Sequence, residues 1–193
     1  MKKIIAITGG IGSGKSAVLR IIKDLGYPVI SADDVNRELL EDKTYLELLK
    51  EKFVEAFPSG IFDKKILSSI IFADERRRLT LNSIAHIRIR KLIEDKINAI
   101  GKSIIFVEVP ILIESGMVDM FDEIIVVTAS QSVKIKRVAK RDNIEPKEVI
   151  MRMNSQLSDE EILKYATYTI ENSGTMEELN ENVSRIMKNI IQE

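Results

Sequence analysis

The sequence predicts an α/β fold: a parallel sheet with helices over both faces, three layers in all. Three observations carry that expectation. Lys3–Thr8, Ser103–Val109 and Glu123–Thr128 are short apolar runs, the pattern of strands buried on both sides. Helical patterns separate them, as parallel crossovers require. The first run ends at Gly9-Gly10-Ile11-Gly12-Ser13-Gly14-Lys15-Ser16, four glycines within six residues followed by Lys-Ser.

The elements follow in order. Lys15–Leu25 puts Val18, Leu19, Ile21, Ile22 and Leu25 on one helical face, and Gly26 is its stop. Pro28–Ser31 is a shorter strand. Val35–Phe57 reads as helix in two pieces. Asp63 is placed to cap a helix running to Phe72, and Asp74 a long one from Glu75 to about Ile100. After the strands at Ser103 and Glu123 comes a helical pair, Gln131–Arg141 and Pro146–Gln156. Tyr168–Glu171 supplies a fifth strand. Ser158-Asp159-Glu160-Glu161 and Thr175-Met176-Glu177-Glu178 match the capping-box pattern. About seventy residues of mostly helix lie between Ser31 and Ser103, far more than a simple crossover needs. The expectation is one domain, 1–193, with a helical insertion over 32–100 and a lid over 130–157. The insertion is expected above the C-terminal edge of the sheet, where open α/β sheets bind their ligands.

Composition narrows the function classes. The chain has 193 residues, 45% hydrophobic and 31% charged, which suits a globular protein with a sizeable core. Its net charge of -1 gives no overall field towards nucleic acid or membrane. It has no cysteine, so disulfides, thiolate metal sites and cysteine nucleophiles are excluded. The N-terminus does not have the form of a signal peptide. The best membrane candidate, Ile104 to Ile113, contains Glu108 and Pro110 and falls short of the ~20 residues of a span. A cytoplasmic protein with no nucleic-acid or membrane partner is expected, as a monomer or weak homo-oligomer.

Gly9-x-x-x-x-Gly14-Lys15-Ser16 is a complete Walker A motif, between a strand ending at Thr8 and a helix starting near Lys15. Backbone N–H groups from Gly10, Ile11, Gly12, Ser13, Gly14, Lys15, Ser16 and Ala17 are placed to approach phosphate oxygens, helped by the helix N-terminus. Lys15 is expected on the β/γ-phosphates of ATP and the Ser16 hydroxyl on Mg²⁺. A guanine-reading Asn-Lys-x-Asp sequence is absent, and motor ATPases are larger. A short chain with a helical insertion and a basic lid points to a small-molecule kinase.

Where the second strand ends stands Ser31-Ala32-Asp33-Asp34-Val35-Asn36-Arg37. A carboxylate here is placed to accept or orient the proton of an acceptor hydroxyl; equally, Asp33 or Asp34 is a helix N-cap. Arg37 follows Asp33 by four, for acceptor contact or an i,i+4 ion pair. Arg137 and Arg141 share a helix face, either closing on phosphates or solvated within a basic stretch from Lys134 to Arg141. Glu108 interrupts a strand core, as a magnesium-facing acid or a cap for nearby backbone. Arg76-Arg77-Arg78 and Arg88, Arg90, Lys91 read as a solvated helix face, without the interleaved aromatics that base stacking uses.

The motifs together resemble one family, the dephospho-CoA kinases. Thr8-Gly9-Gly10-Ile11-Gly12-Ser13-Gly14-Lys15-Ser16, then a strand leading into Ala32-Asp33-Asp34-Val35-Asn36-Arg37-Glu38-Leu39, carry the likeness. Gly60 to Leu67 with Ile71-Phe72, His86, Pro110-Ile111-Leu112-Ile113-Glu114, Lys136-Arg137 with Arg141, Arg152 and Gln156, and Asn172-Ser173-Gly174 extend it in order along nearly the whole chain. Three positions depart from the family pattern. Ser31-Ala32-Asp33 stands for Asp-Ala-Asp, Ile87 for the proline after histidine, and Ala166-Thr167 for Ala-Asp.

The resemblance implies a P-loop kinase fold and transfer of the γ-phosphoryl of ATP to the ribose 3′-hydroxyl of dephospho-CoA, the last step of coenzyme A synthesis. It implies Asp33, Lys15 and Arg141 as catalytic. Arg137 and Asn172 join the loop as nucleotide-binding residues. Thr8, Asp33, Arg37, His86, Pro110 and Leu112 line the substrate, and Ser16 and Glu108 face Mg²⁺. Two other readings stand beside it. One is a kinase of the same fold acting on a nucleoside monophosphate, shikimate or gluconate. The other is a nucleotide-binding regulator without acceptor-stimulated turnover.

Overall fold

A computed structural model describes residues Lys2–Gln192. Its strands are β1 (Lys3–Thr8), β2 (Val29–Ser31), β3 (Ile104–Glu108), β4 (Glu123–Thr128) and β5 (Tyr168–Glu171). They are all parallel, in the spatial order β2-β3-β1-β4-β5. The α/β class expected from the apolar runs is the one the chain adopts. β1 lies at the centre, with Ile5, Ala6 and Ile7 fully buried, which is why its sequence does not alternate. Its register sets Ile7 beside Glu108 of β3, and Ser31 of β2 pairs with Glu108 from the other side. The C-terminal ends of the three strands that precede the site are thereby aligned.

One apolar layer packs α1 (Lys15–Asp24) and α9 (Met176–Gln192) on this sheet. Val18 and Ile22 of α1 and Leu179 and Val183 of α9 join Ile5 and Ile125 in a single buried cluster. The caps are those that the sequence signals. Gly26 takes φ +85 after α1. Glu178 N–H donates to Thr175 Oγ1 at 3.3 Å, and Glu178 Oε2 accepts from Thr175 N–H at 2.8 Å. Ser158 and Glu161 make the same reciprocal pair at the start of a short helix, Asp159–Leu163.

The chain forms two compact units. The first runs to Ser31 and resumes at Ile100. It holds the sheet, α1 and the helices after β4. The second is Ala32–Ala99, made of α2 (Ala32–Leu39), α3 (Lys43–Lys52), two 3-10 turns, α4 (Lys64–Ala73) and α5 (Glu75–Ala99). Asp63 Oδ1 accepts from the Lys65 and Ile66 N–H groups and Asp74 Oδ1 from those of Arg76 and Arg77, so both caps form. Tyr45, Leu49, Phe53 and Ile93 are wholly or nearly wholly buried in this unit.

One boundary differs from the sequence reading. Helix was expected from Val35, with Asp33 or Asp34 as its cap. The chain instead passes from β2 straight into α2 at Ala32, so both aspartates are inside the first turn. Acidic side chains favour that position through the helix dipole as well as through capping. In the first unit, α6 (Gln131–Asp142) ends on Asn143 in the left-handed region, followed by α7 (Pro146–Asn154) and α8 (Asp159–Leu163). Among the described residues no helix is long and apolar enough to cross a membrane.

Candidate active site

β1 delivers the chain to the glycine loop, and α1 takes it away. Gly14 precedes α1 with φ +95, and a Cβ there would lie 1.9 Å from Asn172 Nδ2. Glycine is therefore needed for conformation and for space at once. Asn172, buried after β5, donates Nδ2–H to the Ser13 carbonyl at 2.7 Å. Arg137 of α6 reaches the same carbonyl at 3.5 Å and Asn172 Oδ1 at 3.4 Å. Two residues that the sequence analysis assigns to the nucleotide thus meet at the loop from separate elements. Lys15 folds over the loop, Nζ donating to Gly9 O at 2.6 Å and Gly10 O at 3.3 Å. Ile11 N–H donates to Gln156 Oε1 at 2.9 Å, bringing the chain just after α7 onto the loop.

Ser16 is exposed at the start of α1, and Thr8 is buried at the end of β1 with Oγ1 lacking a partner among the described residues. Glu108 is half-buried, and its Oε2 accepts from Ser31 Oγ at 3.1 Å. The serine that departs from the family pattern thus serves this carboxylate as a donor, where an aspartate would face it with like charge. Thr167, the other polar departure, accepts Ile124 N–H on Oγ1 at 3.1 Å, a bond that an aspartate oxygen would also accept. Among the described residues no three of His, Cys, Asp and Glu gather as a metal site. An exposed hydroxyl and one carboxylate fit Mg²⁺ all the same, because that ion keeps several waters and takes substrate phosphates as ligands.

Arg141 is exposed and makes a two-pronged pair with Asp142, Nε at 2.7 Å and Nη2 at 3.1 Å. Arg152 Nη1 joins the same carboxylate at 2.9 Å. The Arg141 hydrogen bond, before other causes, holds Asp142 below the ordinary carboxylate value and raises that of Arg141. Arg141 is therefore held beside Arg152, separate from the Arg137–Asn172–Ser13 group. Pro110 is half-buried after β3, but Leu112 is wholly buried and has no exposed surface for a substrate.

In the helical unit, Asp33 is exposed in the first turn of α2. The ion pair of Arg37 goes to Asp34 and not to Asp33, so the i,i+4 alternative is not the one formed. His86 is half-buried on α5, and burial lowers its pKa from the ordinary 6.5. Ile87, which stands for a proline, continues α5 without a break.

One residue escaped the sequence reading. Lys134 opens the basic stretch for which solvation was one of two readings, yet it is only 3% exposed and pairs with Asp159 of α8. Its partner lies on a different helix, so no local spacing signals the contact.

A family model described as dephospho-CoA kinase matches residues 3–178. The dephospho-CoA kinase of Thermus thermophilus is 33% identical over 184 residues, covering 95% of this chain and 90% of the relative. A crystal structure from Thermus thermophilus superposes with a TM-score of 0.87 at 32% identity, covering 97% of each chain. The dephospho-CoA kinase structure from Campylobacter jejuni gives a TM-score of 0.73 at 29% identity over 98% of each. The chain belongs to the dephospho-CoA kinase family.

Proposed function

We propose that this member of the dephospho-CoA kinase family transfers the γ-phosphoryl group of ATP to the ribose 3′-hydroxyl of dephospho-CoA, giving CoA and ADP. The observation that carries the reading is the complete phosphate loop between β1 and α1, in a chain matched to the family from residue 3 to 178. Phosphoryl transfer asks a protein mainly for positioning and charge stabilisation. The loop N–H groups and the N-terminus of α1 supply the donors. Lys15 turns from the Gly9 and Gly10 carbonyls to the phosphates. Arg137, anchored through Asn172 and Ser13, covers the nucleotide. Mg²⁺, when bound, neutralises phosphate charge, with Ser16 and Glu108 facing it.

Asp33 orients or deprotonates the attacking hydroxyl. With Arg37 committed to Asp34, no salt bridge to Arg37 holds the Asp33 carboxylate. Arg37, His86 and Pro110 are assigned to the acceptor. Arg141 belongs to a lid over residues 130–157 within the single kinase domain, and 32–100 is the acceptor-binding insertion. The reaction is placed in the cytoplasm, on a monomer or weak homo-oligomer.

The test is ADP release from ATP with Mg²⁺, with and without dephospho-CoA, with AMP, shikimate and gluconate in parallel. Stimulation by dephospho-CoA alone, with CoA found by mass, is the expected result. Stimulation by another acceptor would overturn the assignment. Asp33→Asn is expected to lower kcat by ~10²–10⁴-fold, the usual contribution of a positioned base. ATP affinity should stay within about twofold, since the base acts on the acceptor. An equal loss of both would remove Asp33 from its role.

A further inference from the structure

A buried ammonium is costly unless it is paired, and it is seldom kept without reason. Lys134 is such a group, its side chain 4% exposed, with Asp159 as its ion-pair partner. Its main chain is pressed against the phosphate loop. A Cβ on Gly12, which has φ +77, would lie 2.8 Å from Lys134 O and 3.1 Å from Lys134 Cα. The ammonium of the same residue reaches Gly10. Nζ lies 3.4 Å from where a Cβ on Gly10 would stand, and Asp159 Oδ1 lies 3.2 Å from the same point.

Gly10 is where the phosphate-reaching lysine of the loop rests. Lys15, the residue type that reaches the β/γ-phosphates in this motif, places Nζ on the Gly9 and Gly10 carbonyls. Two ammonium groups therefore converge on Gly10 from different elements, Lys15 from α1 and Lys134 from α6. Beside them is a cavity of about 550 Å³, lined by Gly10, Ile11, Lys134, Gln156 and Asp159 among others. The counter-ion is the more exposed half of the pair. Asp159 is 35% exposed and is the first residue of a five-residue helix, so it reaches water without disturbing the core.

We propose that Lys134 contacts phosphate in this site, its ammonium exchanging the bond to Asp159 for one to the terminal phosphate of a bound nucleoside triphosphate. The inference rests on the nucleotide-binding reading given above. It assigns α6 a phosphate contact beside Gly10, distinct from Arg137 at Ser13, and it makes Asp159 the resting counter-ion that the phosphate displaces. A nucleoside diphosphate, lacking the terminal group, leaves the pair intact. Lys134 thus favours the triphosphate over the diphosphate.

The experiment compares the full-length protein with Lys134→Met, Lys134→Arg and Asp159→Asn. Calorimetry measures the affinity for Mg²⁺-ADP and for a Mg²⁺-ATP analogue with an imido β–γ bridge. Lys134→Met is expected to weaken the triphosphate by about tenfold or more, the scale of one charge-assisted hydrogen bond, and ADP by about twofold or less. Lys134→Arg should recover most of the difference, and Asp159→Asn should keep or raise the preference for triphosphate.

Equal weakening of both nucleotides in Lys134→Met would make the residue a brace and overturn the proposal. So would an Asp159→Asn variant that loses the preference as Lys134→Met does. Should Lys134→Met not fold, Asp159→Asn alone decides on the same criterion. Failure of the unaltered protein to bind either nucleotide would instead overturn the reading on which this one rests.

Discussion

The two units of the chain hold their functional side chains by different means. In the nucleotide unit, polar groups are fixed by buried or partly buried bonds to the backbone: Asn172 to Ser13, Lys15 to Gly9, Gln156 to Ile11. Its central strand has no exposed surface over Ile5–Ile7. In the helical unit the charged pairs are at the surface, Arg37 with Asp34, Lys91 with Asp95, Lys96 with Glu38. Large apolar side chains also face water there, Phe72 at 88% and Ile61 at 73%. The phosphate site is thus preorganised by covalent neighbours and buried bonds. The helical unit rests on its own apolar core, Tyr45, Leu49, Phe53 and Ile93 among it, with surface pairs that are each worth ~0–1 kcal/mol at most.

The sharpest way to break this contrast is at Phe53. It is fully buried, with the Arg77 guanidinium 4.7 Å above its ring. Phe53→Ala should cost roughly 3–5 kcal/mol by leaving a cavity at a fully buried site. Phe72→Ala, at the exposed end of α4, should stay within about 0.5 kcal/mol. Urea unfolding of both variants, followed alongside ADP binding, checks the pair. Phe53→Ala should lose stability while ADP affinity at native conditions stays near its original value. A parallel loss of both would mean that the phosphate site depends on the helical core, and the contrast would fall.

A smaller effect is expected on the nucleotide side. Asn172→Ala removes the short donor to the Ser13 carbonyl and an acceptor for Arg137, leaving that carbonyl only the 3.5 Å contact from Arg137. The cost is about 1–3 kcal/mol. The part of it that belongs to the loop should appear as weaker ADP binding, measured by calorimetry. A stability loss with unchanged ADP affinity would show that Asn172 supports β5 alone. Asn172→Asp is the finer probe, since it keeps the shape and the acceptor but exchanges a donor for a negative charge facing a carbonyl.

The legibility of the molecule divides along another line, between contacts made by neighbours in the chain and contacts made across it. The five strands and the capping signals were readable because each depends on contiguous residues. Asp63, Asp74, Ser158 and Thr175 cap where their spacing says they should. The Walker A loop was readable for the same reason. Contacts made across the chain were not. Lys134 looks like its solvated neighbours until Asp159 and the narrow Gly12 surface are brought to it. Leu112 sits in a motif that suggests substrate contact, and its complete burial is set by packing that the motif does not display. The i,i+4 spacing offered Asp33 to Arg37, but the pair forms at i,i+3 with Asp34, a spacing that a helix allows equally.

The smallest expected effect offers a direct view of the helical unit, because the chain has a single histidine. Burial on α5 favours the neutral form of His86 and lowers its pKa from 6.5. The unfolded chain then binds more protons than the folded one in the window below 6.5. The contribution of this group to stability is fully present above the unfolded pKa and is lost as pH falls from 6.5 through the folded value. The imidazole NMR signal should titrate at lower pH in the folded protein than in urea. In Phe53→Ala, where the core around the helices is loosened and water gains access, the folded titration should move back towards the unfolded one. If it stays in place, the desolvation of His86 comes from α5's immediate surroundings, and this unit is packed more firmly around that helix than its exposed apolar surface suggests.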